Sequence, residues 1–196
     1  MCGIVAVAGR RDVSEILLEG LRRLEYRGYD SAGVAVLNDQ GDLQSCKQAG
    51  KVSILEDALA SAPVVGVTGI AHTRWATHGV PNTDNAHPHI SGNRIALVHN
   101  GIIENHQSLR ESLIAQGVTF TSDTDTEAIV HLINAEMQSE PSLLKAVQQV
   151  LPRLEGAYAL AVLDANNPGQ LVVARAGSPL VLGVGMGETY AGSDTL

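Results

Sequence analysis

Met1-Cys2-Gly3-Ile4-Val5-Ala6-Val7-Ala8-Gly9 opens the chain. An uninterrupted, partly β-branched apolar run of this length reads as a strand buried on both faces. A strand mounted in that way holds its first residue rigidly at a sheet edge, and here that residue is a cysteine. If the initiator methionine is removed, Cys2 carries a free α-amine beside its thiol. An α-amine titrates near ~8 and a thiol near ~8.5, so a proton passes between them near neutral pH at little cost. The plain alternative is a small buried hydrophobe at the start of a core strand.

Working outward, Asp12-Val13-Ser14-Glu15 predicts a helix start with an acidic N-cap. Val13, Ile16, Leu17, Leu21 and Leu24 then fall on one helical face. Gly28 ends that helix, residues 26–33 read as a turn, and residues 34–37 as a strand. Asn38-Asp39-Gln40-Gly41 has hairpin chemistry. A short helix is predicted over 52–60 and a second buried strand over 64–70. That strand runs into His72-Thr73-Arg74-Trp75-Ala76-Thr77-His78-Gly79 and a polar loop with Pro81 and Pro88. Residues 95–98 predict a short strand ending in His99-Asn100-Gly101. Helices are expected near 107–116, near 124–137 and between Pro141 and Pro152. Strands are expected at 158–163, 171–174, 180–184 and 189–191. Strands first, helices in the middle and strands last argue for an α+β fold, with antiparallel sheets and helices packed outside, and against βαβ units.

The 196 residues, 44% of them hydrophobic, suit one domain with a substantial core. With one Trp and one Phe, that core must be aliphatic. The net charge is −8 and no basic cluster exceeds Arg10-Arg11 or Arg22-Arg23, which argues against nucleic acid as a partner. No apolar run approaches membrane-spanning length. Two cysteines make no disulfide framework, and without a signal peptide the expected setting is the reducing cytoplasm.

Acyl transfer needs a nucleophile, donors for an oxyanion and a grip on the substrate. Cys2 is the candidate nucleophile. The Asn100 side-chain amide and the Gly101 N–H could converge on one developing negative oxygen, although Asn-Gly is also a strong turn signal. Arg74 offers a fork for a carboxylate, or a structural ion pair, and Trp75 beside it could exclude water. Asp125 could take an ammonium, or could serve only the dipole of the helix it begins. Arg27, in a glycine-flanked turn, could support the site or bind loop carbonyls. His87-Pro88-His89 with His99 or His106 matches no closed zinc site, so no metal is expected.

Several long motifs then line up in order. They are Cys2-Gly3-Ile4-Val5, Leu24 to Gly33 (LEYRGYDSAG), His72 to Gly79 (HTRWATHG), Asn85 to His89 (NAHPH), His99 to Asn105 (HNGIIEN) and Asp123 to Glu127 (DTDTE). Together they resemble the N-terminal glutaminase domain of the glucosamine-6-phosphate synthase family, the glutamine–fructose-6-phosphate aminotransferases. The wider class of N-terminal-cysteine glutamine amidotransferases includes amidophosphoribosyltransferase and asparagine synthetase, whose motifs are less similar. The resemblance implies an N-terminal-nucleophile hydrolase fold, a four-layer αββα sandwich of two antiparallel sheets. It also implies attack by Cys2 on the glutamine side-chain amide, with its own α-amine as base and Asn100 and Gly101 as the oxyanion hole. Arg74 and Asp125 would hold the α-carboxylate and α-ammonium. Trp75, Thr77 and His78 would belong to a loop closing over glutamine, Arg27 would support the site, and His87 would line it. No cofactor is implied.

In that family, sugar-isomerase modules follow this domain and bring ammonia to fructose-6-phosphate, with a homodimer compatible with the full-length enzyme. The sequence is therefore expected to be residues 1–196 of a glutaminase domain lacking several C-terminal strands and the isomerase part. Apolar edges left by the missing strands could make it associate. A retained Met1 would block Cys2, leaving a non-catalytic glutamine-binding regulatory domain as one alternative reading; the glutaminase domain of another amidotransferase, such as amidophosphoribosyltransferase, is the other.

Overall fold

The computed structural model describes residues 2–75 and 80–195. Among the described residues, ten strands form two sheets. The first holds β1 (Gly3–Ala8), β2 (Ser31–Leu37), β3 (Leu43–Ala49), β4 (Thr68–Arg74), β9 (Val181–Val184) and β10 (Thr189–Gly192) in the order β3-β2-β4-β1-β10-β9. The second holds β5 (His89–Ser91), β6 (Ile95–Ile103), β7 (Gly156–Asp164) and β8 (Leu171–Ala176) in chain order. Every pairing between these strands is antiparallel. Five α-helices of the described residues pack outside: α1 (Ser14–Leu24), α2 (Val52–Ser61), α3 (His106–Ala115), α4 (Asp125–Glu136) and α5 (Leu143–Val150).

The layering follows from alternation along strands buried on both faces. On β1, Ile4 and Ala6 point to the second sheet, while Val7 joins Leu17, Leu21 and Leu55 of α1 and α2. On β6, Ala96 and Val98 face the first sheet, and Ile95 and Leu97 face α4 and α5. The layer between the sheets is rich in alanine, with Ala6, Ala35, Ala96, Ala159 and Ala161. A core nearly free of aromatics is thus a core of two closely opposed sheets. The outcome is the four-layer αββα sandwich.

Several boundaries differ from the sequence reading. Residues 64–67 precede β4 rather than start it, and the strand runs on to Arg74. Polar β3 was not expected; it is an edge strand whose side chains are only half-buried. Asp12 does not form the expected cap box. Its carboxylate instead accepts from Ser14 and from the Gly66 N–H, tying the helix start to the segment before β4. The largest change is in β6, which continues through Asn100-Gly101 instead of turning there.

One buried ion pair closes the far end of the second sheet. Asp164, fully buried, accepts from Arg94 Nε at 2.7 Å and Nη2 at 3.0 Å, and from the Asn166 N–H. Burial pushes its carboxyl pKa up, but these donors outweigh burial and hold it below the usual range. Its contribution is therefore present above the ordinary carboxylate range and fades as pH falls through the depressed value. Asp164→Ala is expected to cost about 2 kcal/mol, less than a fully buried pair because Arg94 keeps 23% of its surface in water. Calorimetry should then show a melting point lower by about 4–8 °C; a drop below ~1 °C would show that the pair contributes nothing.

Candidate active site

The antiparallel register assembles the site. Gly3 pairs with Thr73, so Cys2 at the start of β1 stands at the same sheet edge as Arg74 at the end of β4. Ser31 pairs with Arg74, which brings Asp30 alongside as well. Residues far apart in sequence meet because one strand begins where its neighbour finishes.

Cys2 is gripped from two sides. Its Sγ accepts from the Trp75 N–H at 3.2 Å and donates to the Trp75 carbonyl at 3.5 Å. Its backbone carbonyl accepts from Asn100 Nδ2 at 3.0 Å. Burial pushes the Cys2 thiol pKa up, against the pull of the Trp75 N–H. The thiol is therefore mostly protonated near neutral pH, and a base must accept its proton before the sulfur can attack.

Asn100 and Gly101 come from the second sheet. Gly101 has φ +132, and a Cβ there would lie 2.0 Å from the Ala157 carbonyl oxygen. Only glycine fits this position, where β6 and β7 crowd together. The Asn-Gly pair does supply its special backbone geometry, but inside a strand. Gly33 does a similar service on β2: a Cβ there would lie 2.1 Å from the His87 carbonyl oxygen, so its absence lets the His87 loop settle onto the first sheet.

A narrow polar cleft is lined by Cys2, Arg74, His87, Gly101 and Asp125, among others. Arg74 is buried, with Nη1 donating to the Val80 carbonyl at 3.4 Å and lying 3.8 Å from Asp30 Oδ1. Asp125 occupies the first turn of α4, capped by Thr124, whose hydroxyl accepts from the Glu127 N–H. Its Oδ2 accepts from the Ile103 N–H at 2.8 Å. Glu127 fastens the preceding loop by accepting from the backbone and hydroxyls of Thr121 and Ser122. His87 is buried, and burial holds its pKa well below the ordinary value.

Trp75 lines the cleft and is 55% exposed. Arg27 lies at a second cavity of about 460 Å³, shared with Cys2, Trp75, Asn100, Gly101 and Ile102. Its guanidinium pairs with Asp194 at 2.9 Å and donates to the Ser193 carbonyl. Ser193 in turn bonds Ile4 through both its hydroxyl and its N–H. The 193–194 segment is thus held between Arg27 and β1, next to Cys2. Thr77 and His78 lie outside the described residues. Among the described residues, no group of three or more His, Cys, Asp or Glu side chains could hold a metal ion, and no helix is long and apolar enough to cross a membrane.

Sequence reasoning missed three participants, Ser193, Asp194 and His72. Ser193 and Asp194 carried no local signal, because their role depends on β10 lying beside β1. His72 was quoted only as part of a motif; its ring proves to stand against Asn100.

The chain is similar over its whole length to several known proteins. The glutamine–fructose-6-phosphate aminotransferase [isomerizing] of Vibrio vulnificus strain YJ016 is 60% identical over all 196 residues, and that of Pseudomonas putida is 58% identical. The chain spans 32% of the length of each of these relatives. Glutamine phosphoribosylpyrophosphate amidotransferase from B. subtilis, solved with ADP and GMP, superposes with a TM-score of 0.84 at 28% identity, over 99% of this chain and 42% of that one. A glutamine aminotransferase class-II domain protein from Silicibacter pomeroyi shares the fold, with a TM-score of 0.62 at 16% identity, over 97% of this chain and 88% of that one. The fold is that of the N-terminal-nucleophile hydrolases. Residues 72–195 match the family described as the glutamine amidotransferase domain, and the chain belongs to that family.

Proposed function

We propose that this chain hydrolyses the side-chain amide of glutamine to glutamate and ammonia, with Cys2 as nucleophile. One observation carries the reading: the Cys2 sulfur is fixed by the Trp75 backbone while the Asn100 amide reaches the same residue, at a cleft that also holds Arg74 and Asp125.

Removal of Met1 frees the Cys2 α-amine. That amine takes the thiol proton as sulfur attacks the amide carbon. Negative charge grows on the amide oxygen and is met by Asn100 Nδ2, which has a second proton beyond the one on the Cys2 carbonyl, and by the Gly101 N–H. The C–N bond breaks, the amine returns a proton to the leaving nitrogen, and ammonia departs. Water then attacks the thioester with the same amine as base, releasing glutamate and the thiol. Arg74 holds the α-carboxylate. Asp125 holds the α-ammonium with the lone pairs not used by the Ile103 N–H. His87 lines the cleft, Arg27 steadies the wall behind Cys2, and Trp75, with Thr77 and His78, covers bound glutamine. The second cavity, also lined by Cys2, gives ammonia a way out.

We also propose that the chain is the glutaminase portion of a longer polypeptide. Its relatives are about three times as long and are named for fructose-6-phosphate, which makes that sugar phosphate the acceptor for the ammonia in the intact protein.

The test is incubation with glutamine and measurement of glutamate and ammonia, with an electrophilic glutamine analogue as a second probe. One adduct is expected, on Cys2; labelling of Cys46, on the half-buried edge strand β3, would count against the reading. Asp125→Asn keeps the shape and removes the charge, so KM for glutamine should rise tenfold or more, about 1.4 kcal/mol, with kcat little changed. An unchanged KM would remove Asp125 from substrate binding.

A further inference from the structure

We propose that His72 is a positioning residue: its Nε2–H spans the two sheets and fixes the Asn100 amide so that its NH2 group, not its oxygen, faces Cys2. The proposal rests on the glutaminase reading above.

The site is built from two halves. Cys2 and Arg74 belong to the first sheet, and Asn100 and Gly101 to the second. Only a link across the layer between the sheets can set one half against the other. Most of that layer is aliphatic, with Ile4 and Ile70 facing Ala96 and Val98. His72 lies two residues beyond Ile70 on β4, so it points the same way, into the second sheet. It is fully buried. Its Nε2 lies 2.9 Å from Asn100 Oδ1, 3.0 Å from the His99 carbonyl oxygen and 3.1 Å from His87 Nδ1.

The chemistry of these partners decides the protons. A backbone carbonyl can only accept, so Nε2 facing the His99 carbonyl must carry hydrogen. The Cys2 carbonyl can also only accept, so the Asn100 atom 3.0 Å from it must be nitrogen. Asn100 therefore presents oxygen to His72 and NH2 to Cys2, and the two assignments require each other. His87 Nδ1, facing the same Nε2–H, is an acceptor, and its own proton sits on the ring nitrogen remote from His72. Burial pushes the His72 pKa down to about 3, which keeps the ring neutral and leaves it one N–H to give. Its Nδ1 has no partner among the described residues. Its single N–H is thus placed at the position where the Asn100 amide could otherwise flip.

The experiment compares His72→Gln, His72→Asn and His72→Leu in the intact natural polypeptide. Glutamine places an amide nitrogen near the position of Nε2; asparagine is too short to do so. Expected is a glutaminase kcat within about fivefold of wild type for H72Q and lowered at least tenfold for H72N and H72L, with KM for glutamine within about threefold throughout. Alkylation of Cys2 by iodoacetamide makes no oxyanion, so its rate should stay within about twofold in all three. Equal activity in H72Q and H72N overturns the proposal, as does a parallel loss of kcat, glutamine affinity and alkylation. If the variants do not fold, the tautomer in wild-type protein labelled with [15N]histidine decides: Nε2–H supports the assignment and Nδ1–H overturns it. Wild-type protein without glutamine hydrolysis would sink the glutaminase reading itself, a failure distinct from a wild type that turns over no faster than H72L.

Discussion

Cys2→Ala is expected to abolish ammonia release from glutamine, a fall of roughly 10⁴–10⁶-fold, while glutamine still binds. The substitution removes only the sulfur that lies 3.2 Å from the Trp75 N–H. Arg74, Asp125 and the β1–β4 register do not depend on it. Binding by calorimetry with kinetics on the same samples separates the two effects. Turnover within tenfold of wild type would exclude Cys2 as nucleophile. The pH profile carries the mechanism further. Burial raises the thiol pKa, so ionisation without help is unfavourable at neutral pH. The α-amine must be unprotonated to act as base, so kcat/KM should fall as pH drops below the amine's pKa, near ~8 or lower. Protein that keeps its Met1 has an acylated amine and should be inactive at every pH. Intact mass measured beside the assay checks that expectation.

The second large effect is expected at Asn100. Asn100→Ala removes one of the two proposed oxyanion donors and should lower kcat by about 10²–10³-fold, or 2.7–4 kcal/mol of barrier, with KM for glutamine nearly constant. Asn100→Asp keeps the shape but sets a carboxylate where an N–H is needed, so its loss should be at least as large. These variants also remove the donor to the Cys2 carbonyl. A structure of N100A should therefore show whether Cys2 still meets the Trp75 backbone. If it does and kcat has not fallen, Asn100 is no oxyanion donor. If kcat and KM worsen together, the residue supports the strand edge instead of the transition state.

The sequence carried the parts whose physics is local. The apolar run after Cys2 had to be buried, since such a run has no polar face to show to water, and its β-branched residues read as a strand. The low aromatic content required an aliphatic core. The order of strand and helix segments argued against a parallel sheet, because parallel strands need a crossover between each pair. The motifs named every proposed first contact of the cleft, from Cys2 and Arg74 to Asn100, Gly101 and Asp125. Tertiary structure alone decided the rest. Asn100-Gly101 carries the signature of a tight turn, and only β7, pressed against β6, shows that its backbone freedom is spent inside a strand. Polar β3 has no pattern of its own and becomes a strand because β2 offers it a free edge. Arg27 finds Asp194, and Ile4 finds Ser193, across more than 160 residues because β10 pairs with β1. His72 looks like one histidine among seven until the two sheets face each other. Periodicity in a chain reports which face of an element is buried, but not which element buries it. The contacts that join the two halves of this site run between sheets, and their geometry exists only once the sheets have met.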